Sequence, residues 1–204
     1  MTYGVSVTTD PIEEPIGLAE AKSYCQIAQS ITAHDQDLVR SIRAARQFIE
    51  ATTHRSIITQ TRELTIDRFP HGRNYILLPF TPLKSITSIF YIDTEGVSTE
   101  WASDKFDVST SRQPGEVRRA WDENWPTVRP VVDAVTITYV AGYGATSDVP
   151  HNLRAAMLLL IEHWFVNRSA VVTGTIATTI PLAVDALLSG LSVGDEFLTY
   201  GGPP

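Results

Sequence analysis

The feature that most constrains the fold of this chain is a change of hydrophobic period, from helical to two and back to helical. Between Asp35 and Thr53, Leu38, Ile42, Ala45 and Ile49 step by four, three and four residues, with Asp35 and Asp37 in the first turn, where the helix dipole favours them. This spacing predicts an amphipathic helix with one buried stripe. From about Ile57 to Val140 the period becomes two: Leu64 and Ile66 alternate with Thr65 and Asp67, and Val135, Ile137 and Tyr139 with Thr136 and Thr138. Helical spacing returns after Pro150, where Leu153, Met157, Leu160 and Trp164 share a face. A helical core with an inserted β segment follows from this order.

Within the middle, Ile86 to Ile92 and Val97 to Trp101 flank Asp93-Thr94-Glu95-Gly96, a hairpin turn with glycine where a positive φ is needed. Tyr75 to Leu78, Phe106 to Val108 and Glu116 to Arg119 read as further short strands, punctuated by Pro79, Pro82 and Pro114-Gly115. The fold class expected is α+β. Residues 1–56 with 148–190 form the helical core, 57–147 an inserted antiparallel sheet or barrel, and 191–204 a C-terminal docking tail. Gly17 to Ile27 and Pro181 to Leu188 add short helices to the core, and Ser169 to Ile180 is a Thr-rich loop. Ala156, Leu158, Leu159, Ile161 and Phe165 fill the circumference of the helix after Pro150. That helix is expected to be covered on more than one side, by its own fold or by a neighbouring subunit.

Charge and composition exclude several functions. Sixteen Lys and Arg against 23 Asp and Glu leave a net charge of -7, the wrong sign for a chain whose main task is gripping phosphate backbones. The single cysteine, Cys25, forms no intrachain disulfide, and MTYGVSVTTD has neither the basic nor the apolar stretch of a signal peptide, so cytoplasmic synthesis is expected. The longest apolar run, Ala155 to Ile161, falls well short of the roughly 20 residues of a membrane-spanning helix.

Catalytic and cofactor signals are sparse. Gly142-Tyr143-Gly144-Ala145-Thr146-Ser147 stands between strand and helix, but Ser147 replaces the third glycine of a dinucleotide fingerprint and no parallel βαβ alternation surrounds it. A plain turn is the reading. His34, Asp35 and Asp37 suit a helix start better than a metal, and Glu162-His163 lacks the spacing that brings two imidazoles to one zinc. No nucleophile elbow is present, and Cys25 has no activating base near it in sequence. No cofactor, metal or catalytic residue is expected. Arg40, Arg43 and Arg46 step along the long helix with Glu50 four residues beyond Arg46: a solvated face with an Arg-Glu pair, or a docking strip for an acidic partner. Trp121, Trp125 and Pro126 either plug the open end of the sheet or form a recognition loop.

The order of segments itself is informative. Leu18-Ala19-Glu20-Ala21-Lys22, the Leu38 to Arg55 helix, Ile58-Thr59-Gln60-Thr61 and Leu64 to Pro70 come first. Leu77-Leu78-Pro79, Pro82-Leu83, Ile86 to Val97, Val135 to Gly144, His163 to Arg168 and Pro181 to Leu188 follow. Taken together, residues 16 to 190 resemble the head-to-tail connector, or adaptor, family of long-tailed phages and gene transfer agents. One departure is Ser169, where the resemblance would put an acidic residue after Asn167-Arg168. The resemblance implies a non-enzymatic virion neck protein, in a ring of usually twelve copies beneath the portal. Such a ring extends the DNA channel, binds no DNA specifically and carries a stopper or tail-terminator protein. Portal or subunit contacts are then expected at Arg40, Arg43, Arg46, Arg168, Phe197, Leu198 and Tyr200. The rival readings are a nucleic-acid-binding or regulatory module using the arginine strip, and a small hydrolase involving His163 or Asp37.

Overall fold

A computed structural model describes residues 3–167 and 182–191. The chain is α+β, and its described residues form two compact units. One, the β unit, takes residues 3–11 and 59–143. The other, the helical unit, takes residues 12–58 and 144–191 apart from the segment not described.

In the β unit, β1 (Tyr3–Thr9), β2 (Gln60–Ile66), β4 (Leu83–Ile92), β5 (Ser98–Glu100) and β8 (Val135–Ala141) make one sheet in the order β1-β2-β8-β4-β5. A second sheet has the order β3-β7-β6, from Tyr75–Leu78, Gly115–Arg119 and Phe106–Ser109. Every pairing is antiparallel. Strict alternation in β2 and β8 turns Leu64, Ile66, Val135, Ile137 and Tyr139 inward, and they meet Ile76, Leu78 and Val117 of the second sheet in one core. Tyr139 enters that core only because its hydroxyl has an acceptor, donating to the Pro79 carbonyl at 2.8 Å. Burial holds its phenol far above the ordinary tyrosine pKa.

The strand β1 is a finding the sequence reading lacked. Residues 1–56 were expected wholly in the helical core, whereas Tyr3 to Thr9 pair with β2 as an edge strand. Its side chains are mostly exposed, so no buried stripe marks its partner. The hairpin forms as expected between β4 and β5, with Gly96 at φ 91°.

In the helical unit, α2 (Asp35–Thr53) and α3 (His151–Val166) pack together. α1 (Leu18–Tyr24) lies against both, and α4 (Leu182–Leu188) lies against α3. Leu38, Ile42, Ala45 and Ile49 of α2 are all buried, as are Leu153, Ala156, Met157, Leu160 and Ile161 of α3. Pro150 precedes α3 as its N-cap, where a missing N–H costs nothing. Leu191, expected in the C-terminal tail, also belongs here: its carbonyl accepts from Arg55 Nε at 2.6 Å.

Candidate assembly surfaces

The arginine strip divides once its surroundings are seen. Arg46 is buried: Nε donates to Glu14 Oε2 at 2.8 Å and Nη1 to Glu50 Oε2 at 3.2 Å, while Glu50 Oε1 accepts the Ile57 amide at 2.8 Å. Here Arg46 and Glu50 are internal, tying α2 to the segments on either side of it, rather than a solvated pair. Arg43 stays exposed, with Nε 3.8 Å from Glu14, and Arg40 pairs loosely with Asp37 at 3.4 Å. The cause is helical drift. Each three-residue step falls about 60° short of a full turn, so two steps carry the row about 120° around α2 towards its buried stripe. Only Arg40 and Arg43 remain on the surface, which weakens the nucleic-acid reading. Arg168, Phe197, Leu198 and Tyr200 lie outside the described residues.

The residues weighed for chemistry have structural work. Asp35 pairs with the buried Lys22 at 2.5 Å, joining α1 to α2, and His34 sits edge-on to Phe165. His163 accepts the Asn167 amide at its carbonyl, closing the end of α3. Burial, and then the Glu162 carboxylate, raise the Cys25 pKa, which keeps the thiol protonated and unreactive at neutral pH. Among the described residues no group of three or more His, Cys, Asp or Glu could hold a metal ion, and no helix is long and apolar enough to cross a membrane. Gly142 and Gly144 have φ of 134° and 146°, and a side chain at 144 would collide with the Asp148 carboxylate that accepts the Ala145 amide. These glycines shape a turn.

The tryptophan pair also divides. Trp125 stacks on Phe69 with centroids 5.0 Å apart and leans on Trp101 at 5.2 Å, so it packs, partly buried, against the core of the β unit. Trp121 is 96% exposed at a turn closed by the Glu123 amide on the Ala120 carbonyl. Sequence patterning could not separate them, because both lie in a segment without period. Beside Trp125, residues 67–74 and 124–132 enclose an open groove of about 1070 Å³. On α3, Leu158, Leu159, Trp164 and Phe165 are only half-buried, and Val166 is 71% exposed.

Residues 15–182 match the model of the family described as head completion protein. The chain belongs to the head completion protein family. A comparison with curated protein sequences gave no significant match. Solved structures share the fold, among them three from gene transfer agent particles. One chain, from the neck of an empty gene transfer agent (GTA) particle computed with C6 symmetry, is 23% identical with a TM-score of 0.76, covering 98% of this chain and 100% of that one. Another, from the neck of a native GTA particle computed with C12 symmetry, is 22% identical with a TM-score of 0.69, covering 97% and 100%. The third, from the virion of a native GTA particle, is 22% identical with a TM-score of 0.75, covering 93% and 95%.

Proposed function

We propose that this head completion protein is a non-enzymatic adaptor of a phage-type virion neck. Copies form a ring on the portal, extend the DNA channel and present a platform for a stopper or tail-terminator protein. The observation that carries this reading is the family match over 15–182, and the fold shared with neck chains along almost their whole length supports it. The C12 symmetry of one of those necks supports a ring of twelve. Two features of the chain agree with association as its chemistry. Away from its buried stripe, α3 keeps half-buried Leu158, Leu159 and Phe165, apolar surface that a neighbouring copy would cover. An acidic chain also avoids the tight phosphate binding that would retard DNA passing through a ring.

On this reading the helical segments form the ring, and residues 192–204 act as a docking arm for the portal or an adjacent subunit. The free chain associates weakly, and the portal templates the ring. Mixing purified chain with portal rings and weighing the products by mass photometry tests this. Twelve copies should load per portal, and deletion of 192–204 should abolish loading while leaving thermal unfolding of the free chain nearly unchanged. A permanent small dimer indifferent to the portal would overturn the reading.

A further inference from the structure

The groove beside Trp125 has two kinds of wall. Its floor is aromatic, with Trp125 stacked on Phe69 and fixed by its indole N–H to the Arg73 carbonyl at 2.8 Å. Its rim carries Arg68, Arg73 and Arg119 against the carboxylate of Asp67, which already accepts the Asp133 amide. Arg119 is held by the Glu123 carbonyl and the Asn124 side chain, whereas Arg68 and Arg73 are exposed and make no ion pair among the described residues. The Arg73 guanidinium lies over the ring of Tyr75, 5.9 Å away. Elsewhere Arg43, Arg46, Arg112, Arg118 and Arg154 all pair with carboxylates. Two uncommitted guanidinium groups over an aromatic floor, on a chain of net charge -7, are complementary to a segment with adjacent carboxylates followed by aromatics.

The chain contains such a segment in Asp195-Glu196-Phe197-Leu198-Thr199-Tyr200, which lies outside the described residues. The hairpin tip Asp93-Thr94-Glu95 is acidic too, but the Asp93 carboxylate is spent on the Glu95 and Val97 amides and the Thr99 hydroxyl, and no aromatic residue follows in the turn. We propose that the groove receives the Asp195–Tyr200 segment of a neighbouring copy, with its two carboxylates on Arg68 and Arg73 and its aromatics against Trp125. A groove on one copy and a segment from the next make a heterologous contact, the type that closes into a ring. The proposal rests on reading the chain as a ring subunit, and it narrows the docking arm to the adjacent subunit.

The test uses the full-length chain, diluted until mass photometry shows monomers, and a fluorescein-labelled synthetic peptide of residues 192–204. Anisotropy should report saturable binding that weakens with added salt. The R68E/R73E chain should bind about tenfold or more weakly, and a D195K/E196K peptide should lose affinity for the unmodified chain and regain it on R68E/R73E. The charge-reversed peptide keeps the test valid should R68E/R73E fold poorly. Absence of saturable binding, or equal affinity for both peptides, overturns the proposal. So does a monomer that refuses the peptide until its own 192–204 is deleted, since the occupant would then be its own tail. Peptide binding without ring formation on the portal would support the groove contact and sink the adaptor reading. A ring without peptide binding would do the reverse.

Discussion

Arg46 is the residue on which the helical unit turns. Two carboxylates converge on it, and both Arg46 and Glu50 are almost wholly screened from water. Replacing it with alanine removes one partner of a buried ion pair, a change that costs about 3 to 5 kcal/mol in comparable cases. Arg40→Ala removes only an exposed pair and should cost less than about 1 kcal/mol. Urea unfolding of the two variants checks this contrast, and equal midpoints would contradict it. Only half of this network was legible in the sequence. The Arg46-Glu50 spacing is visible four residues apart, but Glu14 lies 32 residues away from Arg46, and no local pattern announces such a pairing.

Whole elements were easier to read where burial imposes a period. α2 begins and ends at the residues the stripe predicted, and β2 and β8 alternate because one face of each meets a core. β1 escaped because an edge strand with few buried side chains is defined by its partner. β4 hid part of its pattern through register shifts between Leu83 and Ser85 and between Ile86 and Ser88. The β4–β5 hairpin depends on one charge. Hydrogen bonds from the Val97 amide, then from Glu95, Thr99 and Gly96, lower the pKa of Asp93. Its contribution to the turn is therefore present above the ordinary aspartate pKa of about 3.9 and lost as pH falls through the lowered value. An NMR titration should find the Asp93 midpoint below that ordinary value. In Asp93→Ala, exchange of the Val97 amide should be fast at neutral pH. A midpoint at or above the ordinary value would refute this role for the turn.

For the molecule as a whole, the fold class and the family could be read from the order of segments, because that order reflects the alternation of helical and extended periods along the chain. The surfaces could not. The arginine row drifts into the interior, one of two neighbouring tryptophans packs inward while the other faces solvent, and Arg68 and Arg73 belong to a groove that forms only when residues 67–74 and 124–132 come together. A surface site is a property of packing between distant segments, and hydrophobic period carries no record of it. The adaptor account makes one structural demand above all others. A cryo-electron microscopy reconstruction of the neck of particles assembled with this chain should show a closed ring of twelve copies seated on the portal and surrounding the DNA channel. Density for this chain anywhere but the portal vertex, or particles that assemble a complete neck without it, would contradict the account.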